Sequence, residues 1–381
     1  MKEGWEYKKL GDVCEILDSR RKPITKNKRE SGIIPYYGAT GLLDYVKDFI
    51  FDEKLVLLGE DGAKWGAGEN SAYIIEGKSW VNNHAHALRP KRDLLVDEIL
   101  VYYLNFSNLL PYITGVTVPK LNQEKMRSIE IPIGPITEQQ SIVDYLGSAF
   151  AKIDAMKANA EKRLNEAQAL FQASLKEMLE PKEGWEEKKL GDIAEDSADG
   201  PFGSNLKKEH YTTQKEVRII QLSNIGEDGW REENTKYTTF EHLKDISRSE
   251  VEPNDIVIAK MMPAGRAILC PSHEPKFVLS SDAVKIKLKK GMETRFILHS
   301  INSPYFRNEV YENVTGSGRV RTSLTKLRAC SIFLPPLSIQ QSIVATLDSL
   351  KSKVDKLQEN YDKISQECDA LKQTILRQVF E

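Results

Sequence analysis

The sequence predicts an α+β protein: two mixed α/β domains joined by two long helices that form an antiparallel coiled coil, in a pseudo-two-fold tandem repeat. Three observations support this fold class. Short motifs recur at fixed offsets along the 381 residues, two segments carry a heptad-like apolar spacing, and the stretches between them contain strand-like apolar runs.

The repeat is visible at both ends of each half. KEGWEYKKLGD at 2–12 returns as KEGWEEKKLGD at 182–192, so ten of eleven positions agree at an offset of 180. QQSIV at 139–143 returns at 340–344, at an offset of 201, while the interiors share almost no sequence. We therefore expect two copies of one structural framework, each of which encloses an interior of different sequence. The predicted boundaries are 1–136 and 182–336 for the domains, and 137–181 and 337–381 for the helices.

A long helix is predicted after each domain. Apolar residues after Pro336 follow the spacing 4-3-4-3-4-3-4-3-4, at Ile343, Leu347, Leu350, Val354, Leu357, Tyr361, Ile364, Cys368, Leu371 and Ile375. The first copy repeats this seam at Ile142, Leu146, Ala149, Ile153, Met156 and Ala160, and continues through Ala167 and Leu170. A Gln three residues after Thr137 and after Ser338 predicts a capping box at each helix start. One seam is typical of a homodimeric coiled coil, but two of equal length in one chain favour an intramolecular antiparallel pair.

Strands are predicted inside both halves. LVLLGEDGAKWG at 55–66 is typical of a strand, a turn and a loop, and residues 73–90 alternate apolar and polar side chains. In the second half, EVRIIQLSNI at 216–225, NDIVIAKM at 254–261 and DAVKIKLKKG at 282–291 are strand-like. The interiors are therefore expected to be mixed α/β.

Composition narrows the class of protein. The formal net charge of −2 neither supports nor excludes nucleic-acid binding, because local patches make phosphate contacts. No run of residues resembles a signal peptide or a membrane helix, and the four cysteines are far apart and form no CxxC. We expect a cytoplasmic protein with no membrane segment, disulfide framework or zinc site.

Catalytic motifs are mostly absent from the sequence. There is no GxxxxGK[ST] phosphate loop and no GxGxxG that opens a helix after a strand. Asp255-Ile-Val-Ile-Ala-Lys260 lacks the second acid that a nuclease of this pattern needs to hold a metal. The sequence therefore does not predict an enzyme.

Four polar segments could contact DNA. Asn82-Asn83-His84-Ala85-His86 can supply base or phosphate contacts, although a hydrogen-bonded core histidine is equally compatible and a metal pair is disfavoured. The basic run Arg20–Arg29 contains no acid and favours a DNA-facing loop over a solvated face. Asp199–Lys208 is either a phosphate-binding loop or a surface turn. Gly316–Thr322 combines two glycines with alternating arginines, which suit phosphate or guanine contacts, and Arg266 is similar.

The whole pattern resembles the DNA-sequence specificity subunits of type I restriction–modification systems. The frame motifs that carry the resemblance are GWEYKKLGD (4–12), GWEEKKLGD (184–192), IPIGPITEQQSIVDYL (131–146) and IFLPPLSIQQSIVATL (332–347). The interior motifs are YYGATGLLDYV (36–46), GEDGA (59–63), WVNNHAHALRP (80–90), DGPFGSNLKKEHY (199–211), PNDIVIAK (253–260) and GSGRVRTS (316–323). One departure is Ile133-Gly134-Pro135, where the family usually has Pro-Pro.

The resemblance implies a non-catalytic subunit in which each interior is a target-recognition domain for one half of a bipartite site on double-stranded DNA. The helices would set the spacer and dock two modification subunits, with restriction/translocase subunits added. S-adenosylmethionine, ATP and Mg would belong to those partners, and none of them to this chain. The residues expected to bind DNA are Arg20, Arg21, Lys22, Lys26, Lys28, Trp65, Asn82, Asn83, His84, His86, Ser204, Lys207, Lys260, Arg266, Ser317, Arg319 and Arg321. The alternatives are a coiled-coil scaffold that binds proteins and, third, a free-standing enzyme.

Overall fold

The computed structural model describes residues 4–312 and 321–381. By their internal contacts these residues form two compact units. The first unit comprises the chain up to Lys162 together with Glu359–Glu381, and the second comprises Arg163–Gln358. Each unit therefore holds one interior and a part of each long helix.

The described part of the first half of the chain contains ten strands and four α-helices. Its strands are β1 (Glu6–Lys9), β2 (Cys14–Ile16), β3 (Ile34–Gly38), β4 (Gly41–Val46), β5 (Phe51–Asp52), β6 (Leu55–Gly59), β7 (Ala72–Ile75), β8 (Lys78–Val81), β9 (Ala85–Pro90) and β10 (Glu130–Ile133). Its helices are α1 (Leu10–Val13), α2 (Asp97–Phe106), α3 (Gln123–Arg127) and α4 (Ile136–Leu179).

The described part of the second half contains the same number of strands. They are β11 (Glu186–Lys189), β12 (Ala194–Asp199), β13 (Val217–Ile220), β14 (Tyr237–Thr238), β15 (Glu250–Val251), β16 (Ile256–Ala259), β17 (Ala267–Leu269), β18 (Phe277–Leu279), β19 (Ala283–Leu288) and β20 (Ser331–Leu334). The helices are α5 (Leu190–Ile193), α6 (Phe240–Asp245), α7 (Thr294–Asn302), α8 (Pro304–Glu312), α9 (Leu324–Ala329) and α10 (Leu337–Phe380).

The two interiors have one topology despite their different sequences. One four-stranded sheet has the order β2-β9-β6-β7 in the first unit and β12-β19-β16-β17 in the second. The other has the order β4-β3-β8-β5 and β14-β13-β18-β15, and in both copies its two central strands are parallel. The strands predicted at 55–66, 73–90, 216–225, 254–261 and 282–291 are confirmed. The two halves therefore share their topology in the interiors as well as in the repeated motifs.

The repeated motifs at the two ends of each half pair with each other. Strand β1 lies antiparallel to β10, and β11 lies antiparallel to β20. Gly4 and Gly184 both have positive φ, at 82° and 85°, which explains why glycine precedes the tryptophan in both copies. A Cβ on Gly11 or Gly191 would contact Arg127 or Arg328, so close backbone approach explains the second shared glycine.

The departure at Gly134 also has a packing reason. A Cβ at this position would lie 2.2 Å from Cε2 of Trp5, so that the indole ring occupies the space a side chain needs. Nε1 of Trp5 donates to Glu138 at 2.9 Å, which fixes the ring against the first turn of α4. The first copy therefore needs glycine where the second has Pro335.

The long helices span 44 residues each, and in the first unit they form an antiparallel pair. Lys157 of α4 bonds Asp369 of α10 at 3.3 Å, and Asp154 of α4 bonds Lys372 of α10 at 2.6 Å. Residues further along α4 therefore contact residues earlier in α10, as in an antiparallel pair. In the second unit, side chains from both helices pack into one apolar cluster, namely Phe171, Leu175, Leu179, Ile343, Val344 and Leu347. The predicted intramolecular antiparallel pairing is confirmed.

Two details of the predicted helices are wrong. Met156 and Leu170 are 61% and 62% exposed, because the buried row of α4 lies one residue further along the chain, with the partly buried Lys157 and Phe171 in their places. Neither capping box can form as predicted. Thr137 and Ser338 are the second residues of their helices, whose first turns bond to the carbonyls of the preceding prolines.

The first glutamine of each QQSIV motif bonds residues outside its long helix, and Gln139 attaches α4 to its domain. Gln139 is fully buried and its Oε1 accepts from Val96 N at 2.9 Å. Its Nε2 donates to Leu94 O and Gly134 O, both at 2.8 Å. Gln340 is also buried but makes a single bond, from Nε2 to Pro335 O. The motif therefore encodes a domain anchor.

Among the helices in the described part of the chain, none combines the length and the apolar character that crossing a membrane requires. The four cysteines are buried and unpaired.

Candidate nucleic-acid interface

Four segments of the first unit meet at one edge: the turn after β2, the end of β6, the start of β9 and the segment before α3. We call the five polar residues there the first polar edge: Asp18, Arg21, Glu60, His86 and Lys120. Nη1 of Arg21 donates to Glu60 at 2.5 Å and to Ala85 O at 2.7 Å, and its Nη2 lies 3.2 Å from Asp18. Lys120 bonds the other oxygen of Glu60 at 2.7 Å.

His86 lies at the centre of this edge, with 1% of its surface exposed. Its Nδ1 lies 2.6 Å from Asp18 and its Nε2 lies 2.7 Å from the carbonyl of Leu121. Both ring nitrogens therefore have a partner inside the protein. The histidine thereby connects strand β9 to the segment that leads into α3.

The two carboxyls of the first polar edge are held in their charged form. Burial raises the pKa of Asp18, but the hydrogen bond from His86 and the charge of Arg21 outweigh it, so the pKa lies below the ordinary 3.8. Burial likewise raises the pKa of Glu60, and the bonds from Lys120 and Arg21 lower it below 4.5. Ligand atoms of Asp18, Glu60 and His86 lie within 4.8 Å of one another, as in a metal site. The two cations already bonded to these carboxylates account for the cluster as an ion-pair network.

The basic run Arg20–Arg29 divides into exposed and bonded members. Lys22, Lys26 and Lys28 are exposed, and within the described residues they form no ion pair, so they stay candidates for phosphate contact. Arg20 donates to Ile50 O at 2.7 Å, bonds Glu53 and lies over the ring of Phe51. Arg21 belongs to the first polar edge and stabilises the fold.

Three predicted contact residues point inward, and the structure corrects their role. Trp65 is 6% exposed and its Nε1 donates to Gly59 O at 3.0 Å, so it packs in the core. Asn82 is 3% exposed and its Oδ1 accepts from the amide of His84 at 2.8 Å. His86 bonds inside the protein through both nitrogens. Of the polar residues predicted at 82–86, only Asn83 and His84 are exposed, on the turn before β9.

In the second unit, a cleft of about 670 Å³ occupies the corresponding edge. Lys260 is 6% exposed at its wall and bonds Asp199 at 2.6 Å, so its charge is engaged within the protein. Arg321 is half-exposed and approaches Asp282 at 3.4 Å. Phe202, on the loop after Asp199, is 81% exposed.

The remaining predicted residues of the second half lie at several places. Ser204 and Lys207 are exposed on the loop after β12, which keeps them available for DNA. Arg266 is partly buried, its Nε donates to Pro263 O at 3.0 Å, and burial lowers the pKa of its guanidinium. Ser317 and Arg319 lie outside the described residues.

The two edges occupy equivalent places in the shared topology. Glu60 follows β6 and accepts at its carbonyl from Leu121 N at 2.8 Å, while Lys260 follows β16 and accepts from Thr322 N at 2.8 Å. Asp18 lies two residues after the end of β2, next to His86, and Asp199 is the last residue of β12, next to Val284. One position therefore carries an acid in the first half and a base in the second.

Sequence reasoning missed three residues of the first polar edge: Asp18, Glu60 and Lys120. Lys120 could have been found, because the offset of 201 pairs it with Arg321. The acids gave no such signal, since nothing in the chain shows that residues 18, 60 and 120 meet.

Two copies of one family model match the chain. The model describes a type I restriction modification DNA specificity domain and matches residues 2–166 and 182–366. A putative type I restriction enzyme specificity subunit of Haemophilus influenzae is 25% identical over 355 residues, 91% of this chain and 88% of that protein. The type I restriction enzyme StySPI specificity subunit of Salmonella potsdam is 23% identical over 408 residues, 99% of this chain and 85% of that protein.

Solved structures share the fold. A chain of a type I restriction–modification system superposes with a TM-score of 0.76 at 17% identity, covering 100% of this chain and 98% of that one. The HsdS subunit of Thermoanaerobacter tengcongensis gives a TM-score of 0.58 at 17% identity, with 100% and 97% covered.

Proposed function

Because the two matched segments cover most of the chain, this protein belongs to the type I restriction modification DNA specificity family, and we propose that it selects the DNA sequence on which such a complex acts. Each unit reads one half of a bipartite site on double-stranded DNA. Helices α4 and α10 set the spacer between the half-sites and dock two modification subunits.

One observation carries this proposal: a single strand order presents two different sets of polar side chains at equivalent edges. Glu60 in the first half corresponds to Lys260 in the second, and the partly exposed Lys120 corresponds at the offset of 201 to Arg321. Base edges are distinguished by the donors and acceptors that meet them in the major groove. Two copies of one fold with different side chains at the same edge therefore suit two different half-sites.

Two kinds of contact contribute to DNA recognition: charged side chains that bind phosphates and side chains that form hydrogen bonds with base edges. Exposed cations such as Lys22, Lys26, Lys28 and Lys207 supply phosphate contacts, which position the domain without reading sequence. Asn83, His84 and Arg321 lie where they can offer donors or acceptors to base edges. The ion-paired residues beneath them hold these side chains in place.

The chemistry lies in the partners. In this proposal the chain is not an enzyme and binds no cofactor. The modification subunits use S-adenosylmethionine to methylate adenine, and the restriction/translocase subunits use ATP and Mg. The assembly acts in the cytoplasm, where its DNA substrate is found.

A binding assay on random duplexes separates this function from that of a coiled-coil scaffold for proteins. We expect binding that weakens as salt rises, with a slope that reports the number of phosphate contacts. Exchanging residues 13–136 for another interior is expected to change one half-site and leave the other intact. Salt-independent or absent binding would favour the scaffold.

A further inference from the structure

A tight hairpin in the first unit presents two valines to solvent. The hairpin comprises residues 114–120, and we call it the valine hairpin. Thr114 N donates to Lys120 O at 2.9 Å and Lys120 N donates to Thr114 O at 2.8 Å, so its ends pair in both directions. Gly115 has φ of 91°, and a Cβ there would lie 2.4 Å from Val118 O. The tip is therefore closely packed against itself.

The base of the valine hairpin is fixed to the first polar edge. Lys120 pairs with Asp61 as a β-bridge, and Leu121 N donates to Glu60 O at 2.8 Å. His86 bonds the carbonyl of Leu121 from inside the domain. These contacts hold the hairpin at a defined place on the edge that carries the candidate DNA-binding side chains.

The tip of this hairpin is apolar and exposed. Val116 is fully exposed, and Val118 is 66% exposed. A β-branched side chain has few rotamers to lose on contact, so burying it against a ligand costs little conformational entropy. Neither side chain is part of the apolar core, so their apolar surface is available for recognition.

Hydrogen-bonding groups lie at the base of this hairpin. Glu60 N bonds the carbonyl of His84 at 2.8 Å, which brings the turn with Asn83 and His84 to the hairpin base. Gln123 is exposed just beyond the hairpin. An A·T pair shows the major groove a donor and an acceptor on adenine and a methyl group on thymine. Amide side chains beside an apolar tip match that combination.

The second half of the chain has a different sequence at the corresponding positions. At the offset of 201, Val116 corresponds to Ser317 and Val118 to Arg319. An apolar pair in one copy thus corresponds to a polar and a basic residue in the other. This difference is expected if the two copies read different bases.

We propose that the valine hairpin reads a thymine methyl group in the major groove of the first half-site, with Val116 and Val118 as the specificity-determining residues. The inference rests on the proposed function. It commits the first half-site to at least one A·T pair whose recognition depends on the methyl group.

The test uses the complex of this chain with its modification subunits and a duplex that carries the mapped site. Each thymine of the first half-site is replaced in turn by deoxyuridine, which removes only the methyl group. We expect one replacement to weaken binding about fourfold, the factor that one buried methyl group contributes. In the Val116→Ala/Val118→Ala variant, the same replacement is expected to have no effect.

Two controls define the outcomes. Val116→Thr keeps the β-branched shape and tests for folding defects, and Phe202→Ala removes an equally exposed apolar side chain from the second half without changing the response to deoxyuridine. A first half-site without thymine sensitivity, or a penalty that persists in the double variant, overturns the assignment of the hairpin. Failure to bind any bipartite site overturns the proposed function instead.

Discussion

The two helix-anchoring glutamines offer a comparison within one chain. Gln139→Ala removes three hydrogen bonds, to Val96 N, Leu94 O and Gly134 O. At roughly 1 kcal/mol net for each bond, the first unit is expected to lose about 3 kcal/mol of unfolding free energy. Gln340→Ala removes one bond and also an Oε1 atom that is buried without a partner, so its expected loss is about 1 kcal/mol or less.

Urea unfolding of the full chain measures the difference, and hydrogen exchange localises it. The amide of Val96 bonds the side chain of Gln139, so its protection is expected to fall in Gln139→Ala and to remain in Gln340→Ala. Gln139→Met fills the same volume without the hydrogen bonds and isolates their contribution. Equal losses for the two alanine variants, or unchanged protection at Val96, would refute the anchoring role.

Three further predictions concern packing, pH and charge. Gly134→Ala places a methyl group against Trp5 and is expected to lower the urea midpoint by the equivalent of about 1–3 kcal/mol, whereas Gly147→Ala, open on α4, is expected to raise it by about 0.5–1 kcal/mol. Because folding lowers the pKa of Asp18, the contribution of this carboxylate to stability is complete above pH 3.8 and is lost as the pH falls below that value. Asp18→Asn is expected to flatten this part of a profile of unfolding free energy against pH. A profile identical to that of the wild type would count against the ion-pair network. Lys260→Met leaves Asp199 unpaired and is expected to weaken binding through the second half-site only, measured by fluorescence anisotropy on duplexes altered in one half-site at a time; equal loss at both would contradict it.

The helices and the repeat could be predicted because their signals are local or direct. Heptad spacing needs no knowledge of distant residues, and α4 and α10 begin and end close to the predicted positions. The exposed Met156 shows the limit of this reasoning, since one shift in the buried row changes which side chain faces the partner helix. The capping boxes were wrong because each helix begins one residue before the predicted cap, at Ile136 and Leu337, so that Thr137 and Ser338 lie inside the first turn.

The short strands and the polar edges could not be predicted in the same way. Strand β3 contains Pro35 and β18 has three residues, so neither carries a clear alternation. The basic residues were visible in the sequence, but whether each is free or paired depends on acids far along the chain. Arg21 and Lys22 are neighbours in sequence, yet one is bound to Glu60 and the other is exposed.

The shared topology of the interiors was also hidden. Their sequences diverge because the same sheets tolerate many apolar residues inside and any soluble side chain at the edge. Only the frame motifs, where β1 meets β10 and β11 meets β20, are constrained enough to remain alike.

The central claim is that two units of one fold read two halves of one DNA site. Mapping N6-methyladenine by single-molecule sequencing, in cells that express this chain with its modification subunit, tests it most directly. The account predicts a split motif with two fixed half-sites and a methylated adenine in each. With the modification subunit present and active, the absence of any bipartite motif would contradict the account.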